Sequence, residues 1–158
     1  MTKTNKIWLF LLSLASVLLA ENPDAITGKW INEEKDAVIE IYKNNTTYSG
    51  KIIWAEEQAE KNKTVTDKNN PEPSLRSRPI VGLVILKNFT YDGTNTWKGG
   101  TIYDPNNGKT YQCTISLAGN GNLHIRGYFG MPVFGRTTTW WPLNEKAYTD
   151  SGIVRKKQ

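Results

Sequence analysis

Cysteine and histidine are almost missing from this chain, one of each among 158 residues, and the scarcity removes several chemistries together. One imidazole and one thiol cannot supply the ligand spacing of a zinc site, and Asp67-Lys68-Asn69 lacks the rest of a calcium loop. No metal and no cofactor are therefore expected. His124 could in principle serve a hydrolytic triad, but no serine is framed by the glycines of a nucleophile elbow. No catalytic residue is assigned, and whether the chain is an enzyme stays open. The lone Cys113 has no partner for an internal disulfide. It alternates with Tyr111, Ile115 and Leu117 on one strand face, where a thiol is expected to act as a small buried hydrophobe.

A focused positive charge is missing too. The formal net charge is +5, but of the 20 basic residues Lys3 and Lys6 precede an N-terminal apolar run and Arg155, Lys156 and Lys157 form a short tail. That leaves 15 basic against 15 acidic residues in the body. A neutral body argues against nucleic acid as a partner. Long apolar runs are also lacking: Ile7 to Ala20 is too short for a comfortable membrane span but suits the hydrophobic region of a secretory signal. Residues 1–20 are read as that signal, cut after Ala20, with an uncleaved anchor as the alternative because Leu18 matches the cleavage pattern poorly. No cysteine lies there to be acylated. The expected location is periplasmic or secreted, without stable membrane insertion after cleavage. Residues 21–150 are expected to form one domain and residues 151–158 a basic tail, since the length allows no second core.

What is present is a succession of short alternating segments broken by turn residues. Expected strands are Thr27 to Asn32, Ala37 to Tyr42, Tyr48 to Trp54, Ile80 to Leu86, Thr96 to Tyr103, Lys109 to Leu117, Leu123 to Tyr128 and Arg136 to Trp141. Asn44-Asn45, Asp92-Gly93, Asp104 to Gly108 and Gly119-Asn120-Gly121 mark tight turns between them. Tyr48, Gly50, Ile52 and Trp54 are expected on one face of the third strand. Eight short antiparallel strands of this kind suit an all-β, up-and-down barrel that can enclose one small ligand. Residues 55–78 interrupt the pattern as one long loop between strands three and four, with a helical turn or two in its first part.

Gly28-Lys29-Trp30 on the first strand, with Arg126 or Arg136 near the last, resembles the barrel-closing arrangement of the lipocalins. A wider set of motifs follows in order: Asp67, Asn70-Pro71, Leu75 to Pro79, Gly82-Leu83, Gly100 to Pro105, Gly108 to Tyr111, Arg126-Gly127-Tyr128 and Gly135-Arg136-Thr137 to Trp140. Together they resemble the exported bacterial family known as domain of unknown function 2147. The resemblance implies a small exported barrel of lipocalin-like shape and no activity. It also implies a cysteine pair around the second hairpin in many members, where this chain has Asn44 and Ser49.

Two groups of residues are candidates for a site. Arg76 and Arg78 could fork onto a carboxylate or phosphate, with Asp67 and Asn70 orienting them, or could instead pin the long loop through Asp67 or Asp104. Arg126 and Tyr128 share a strand face with His124, which makes either a polar pocket wall or an exposed sheet face. Tyr103 is a further polar candidate, while the adjacent Asp104 points the other way and is expected to cap its turn. The expectation is a module that binds a small amphipathic or anionic ligand in the cell envelope through Asp67, Asn70, Arg76, Arg78, Tyr103, Arg126 and Tyr128. The alternatives are an envelope enzyme working at the barrel mouth and a filled barrel that contacts another envelope protein.

Overall fold

The computed structural model describes residues 22–143; the expected signal and the basic tail lie outside the described residues. Eight strands run in chain order: β1 Gly28–Ile31, β2 Ala37–Asn44, β3 Thr47–Ala55, β4 Val84–Tyr91, β5 Thr96–Asp104, β6 Lys109–Leu117, β7 Leu123–Tyr128 and β8 Arg136–Pro142. Each pairs antiparallel with the next, and β1 pairs with β8, so the sheet closes into a barrel. Up-and-down order gathers the β1–β2, β3–β4, β5–β6 and β7–β8 connections at one end, and the other three at the opposite end.

The expected strands are all present, but β4 is displaced along the chain. Pro79 forms only an isolated bridge to Thr66, and the Ile80 N–H bonds the Val65 carbonyl. Gly82, at φ +94°, then turns the chain before β4 begins at Val84. Proline does open an extended stretch here, as its fixed φ dictates, but that stretch belongs to the long loop. The same loop contains the short helix α1, Glu56–Lys61.

A second difference lies on β3. A bulge pairs Ile39 with Ile52 but the adjacent Val38 with Trp54. Cross-strand partners share a face, so Trp54 leaves the row of Tyr48, Gly50 and Ile52 and joins Val38 and Ile31 on the outer face, with Trp141 next across β8. One inserted residue is enough to reverse a face, which is why simple alternation misplaces Trp54.

Inside, the two ends of the barrel are packed differently. The end opposite the long loop is filled: Trp97, Phe89, Leu86, Ile41, Ile115 and Leu123 are wholly buried or nearly so. Gly100 makes that filling possible, because a Cβ there would meet the Phe89 ring at 2.5 Å. The segment before β1 plugs this end. Trp97 Nε1 donates to the Pro23 carbonyl at 2.9 Å and Trp30 Nε1 to the Ile26 carbonyl at 2.8 Å. Trp30 therefore bonds a backbone oxygen of the plug and not an arginine, since Arg126 and Arg136 lie near the opposite end, by Gly127 at the β7–β8 connection.

Candidate site at the barrel mouth

The long-loop end is open and holds a cavity of about 570 Å³. Ile39, Ile52, Ile85, Ile125 and Trp140 form its apolar floor, with Tyr103, Tyr111 and Thr138 on the wall. The floor follows from the period of two: Ile125 pairs with Thr138, which places both, and Trp140 two residues on, toward the interior. Trp140 is buried and Trp141 is partly exposed beneath Lys35, so the adjacent tryptophans point in opposite directions, as neighbours on a strand do.

The rim above this floor is acidic. Glu34 and Asp36 come from the β1–β2 turn, Glu56, Glu57 and Glu60 from α1, and Asp104 from the β5–β6 hairpin. Asn32 organises the first of these segments. Its Oδ1 accepts from the Asp36 and Ala37 amides, while its Nδ2 donates to Asp36 at 2.6 Å and to Glu34 at 3.2 Å. Two carboxylates are thus drawn onto one amide nitrogen. Arg136, largely exposed, approaches Glu33 and Glu34 only to 3.8 and 3.9 Å. Asp104 caps its hairpin, accepting from Asn106 N–H at 2.9 Å and Asn107 Nδ2 at 2.7 Å.

Of the residues singled out from sequence, Asp67, Asn70, Arg76, Arg78 and Tyr103 come together beside this mouth. Asp67 is fully buried. Its Oδ2 accepts from Arg78 Nε at 3.0 Å, Arg78 Nη2 at 2.8 Å and Asn70 Nδ2 at 2.8 Å, and its Oδ1 from the Tyr103 hydroxyl at 2.6 Å. Burial alone would raise the Asp67 pKa; the bonds from Tyr103, Asn70 and Arg78 outweigh it and hold the carboxyl below its usual value. Burial and the neighbouring carboxylate push the Tyr103 phenol up. Arg76 Nε bonds the Asn70 carbonyl at 2.8 Å. The cluster ties the long loop to β5, and of its members only Tyr103 reaches the cavity lining.

The loop has a second tether. Asn69 Nδ2 donates to the carbonyls of Pro105 and Asn106 at 3.2 and 2.9 Å. Gly108, at φ +71°, has its α-carbon so close to the Asn69 carbonyl that any side chain would collide with it.

Arg126 and Tyr128 are not brought to this site. With Ile125 and Gly127 facing in, His124, Arg126 and Tyr128 face out, the sheet-face arrangement that the spacing also allowed. Arg126 bonds the Pro132 carbonyl through Nε at 2.9 Å and Nη2 at 2.6 Å, and Thr137 through Nη1 at 2.8 Å. It thereby holds the β7–β8 loop, whose Met131, Val133 and Phe134 are exposed.

Sequence reasoning missed the acidic rim and the floor as a site, because both are assembled from separated segments. Alternation within a strand separates one face from the other, but nothing local says where a barrel stops being filled.

Comparison with known proteins agrees with this architecture. The model of a bacterial family described as "Uncharacterized protein conserved in bacteria (DUF2147)" matches residues 28–141. A solved structure, protein HP1028 from Helicobacter pylori, described as belonging to the lipocalin family, is similar at 28% identity with a TM-score of 0.68, covering 76% of this chain and 84% of that one. No curated protein matches.

Proposed function

The chain belongs to the DUF2147 family of bacterial proteins, and on that premise we propose that it binds a small amphipathic molecule in the mouth of its barrel. The observation that carries the proposal is the cavity itself: about 570 Å³ in a barrel whose other end is packed solid. Small-molecule sites fall at about 300–1,000 Å³, apolar with a few placed polar groups, and the isoleucine floor beneath Tyr103, Tyr111 and Thr138 has that character. Asp67, Asn70, Arg76 and Arg78 serve the site by fixing the loop at its edge, with Arg78 already committed to Asp67. The leader pattern of residues 1–20 supports a location in the cell envelope.

The test is to fill the cavity. Thr138 faces the interior opposite Ile125, and Thr138→Trp would occupy the space above the floor. Titration of the neutral fluorescent probe N-phenyl-1-naphthylamine should show one saturable site in the native protein. The variant should bind at least about tenfold more weakly, a loss of about 1.4 kcal/mol, while unfolding at a similar temperature. Equal binding by both proteins, or none by the native one, would refute the proposal.

A further inference from the structure

Independently of the cavity reading, we infer that the tip of the β7–β8 connection inserts into the surface of a zwitterionic phospholipid bilayer. The barrel then docks reversibly, with its mouth toward the lipid.

The described residues expose five large apolar side chains, and four of them fall within six positions: Phe129, Met131, Val133 and Phe134, at 57, 59, 71 and 77%. The fifth, Leu75, belongs to the β3–β4 connection at the same end of the barrel. An apolar patch of this kind marks contact with a partner or a membrane, and its extent selects between them. At about 200 Å² for a large side chain, the four exposures offer roughly 500 Å² of apolar surface, short of the about 800 Å² that a stable protein interface takes from each partner. A single protruding turn instead suits a fluid phase that closes round it.

The backbone of the tip is suited to leave water. Pro132–Phe134 forms one 3-10 turn, in which the Phe134 N–H bonds the Met131 carbonyl at 3.1 Å and the Gly135 N–H the Pro132 carbonyl at 3.0 Å. Arg126 supports the turn by donating to the carbonyls of Pro132 and Val133, and Pro132 has no N–H to satisfy. Carbonyls already bonded cost far less to carry into an apolar phase than open ones. Phe129 packs on Tyr111 with ring centroids 4.5 Å apart. Tyr111 lines the cavity, so the apolar surface runs from the tip to the barrel mouth.

Charge plays the smaller part. Arg136 is 77% exposed and stands two residues from Phe134, where its guanidinium can meet a lipid phosphate. Glu33 and Glu34 approach it to 3.8 and 3.9 Å, which offsets its attraction for anionic lipid. Docking therefore rests on apolar burial.

Site-specific quenching tests this. A bimane label is placed on the full chain at Val133→Cys or, as a control on the outer face of β7, at His124→Cys; Cys113 is buried and stays unlabelled in the folded protein. Phosphatidylcholine vesicles carrying a nitroxide on the acyl chain are then added. Because an interfacial element sits about 5–10 Å into the headgroup–acyl boundary, the label at 133 should be quenched at least about threefold more strongly than the label at 124. Met131→Ser with Phe134→Ser should bring that ratio toward one, with an unchanged circular dichroism spectrum as the check on folding. Residues 1–20 are present throughout, so any affinity of that apolar run for lipid does not distinguish the two sites. Equal quenching at both sites, no quenching at 133, or a ratio indifferent to the two serines would overturn the inference. A concentration-dependent dimer that the serines dissolve, with neither label quenched, would assign the tip to a second copy of the chain instead. None of these failures touches the cavity reading, because probe binding there needs no vesicle.

Discussion

Replacing Asp67 by asparagine should unfold the long loop's anchor without changing its shape. The side chain keeps its size but loses its charge, and four donated hydrogen bonds converge on it: two from Arg78, one from Asn70 and one from Tyr103. A bond to a charged group contributes about 1.5–3 kcal/mol and a neutral one about 0.5–1.5 kcal/mol, so each buried bond loses roughly 1 kcal/mol. The Arg78 pair must be discounted, because its side chain is 36% exposed and water can replace what it loses. Counting Asn70 and Tyr103 in full and Arg78 in part gives a loss of about 2–3 kcal/mol, out of a domain total of about 5–15 kcal/mol. Urea unfolding should show a lower midpoint at unchanged slope. The acid limb supplies a second reading. The Asp67 pKa is lowered on folding, so its stabilisation is complete above the unfolded carboxyl value of about 3.9 and is lost as pH falls through the folded one. Native protein and variant should differ at pH 7 and converge in acid. A variant within about 0.5 kcal/mol of the native protein at pH 7, or one that stays equally far below it at pH 2, would refute the assignment of Asp67 as a charged anchor.

Gly108→Ala should cost at least about 1–2 kcal/mol from its positive φ alone, and more from collision with the Asn69 carbonyl; protease digestion should then cut within residues 62–78 before the barrel unfolds, and unchanged protection would contradict the close approach. Cys113 is buried and its thiol is pushed up to about 12 by desolvation, so it should resist a disulfide reagent at pH 8 until denaturant is added. Rapid labelling of the native protein would show that β6 opens.

The fold was legible because its signals are local. Alternation in β6 and β7, and the turn residues Asp104 to Gly108 and Gly119 to Gly121, lie where the expected strands begin and end. The failures are equally physical. Pro79 marks extended backbone wherever it occurs, so it could not tell a bridge to Thr66 from the first residue of β4. A bulge leaves no mark in composition, so simple alternation puts Trp54 on the wrong face. The residues of the Asp67 cluster stand out in the sequence, yet their role depends on burial, which sequence does not display.

The site was harder to read because it depends on where filling stops. At the plugged end Phe89, Trp97 and Leu86 span the interior, and Gly100 gives up its side chain to admit Phe89. At the mouth isoleucines, Tyr103, Tyr111, Thr138 and Arg136 line a cavity of about 570 Å³ instead of filling it. Arginine at an inward position is informative here: a filled end could not bury it without a close partner, and Arg136 has only distant ones. The same strand, β8, therefore passes from Arg136 through Thr138 to buried Trp140, a gradient from charge to aromatic that records the depth of the cavity. Inward residues along the last strand of a barrel, taken in pairs rather than singly, thus report whether one end is open.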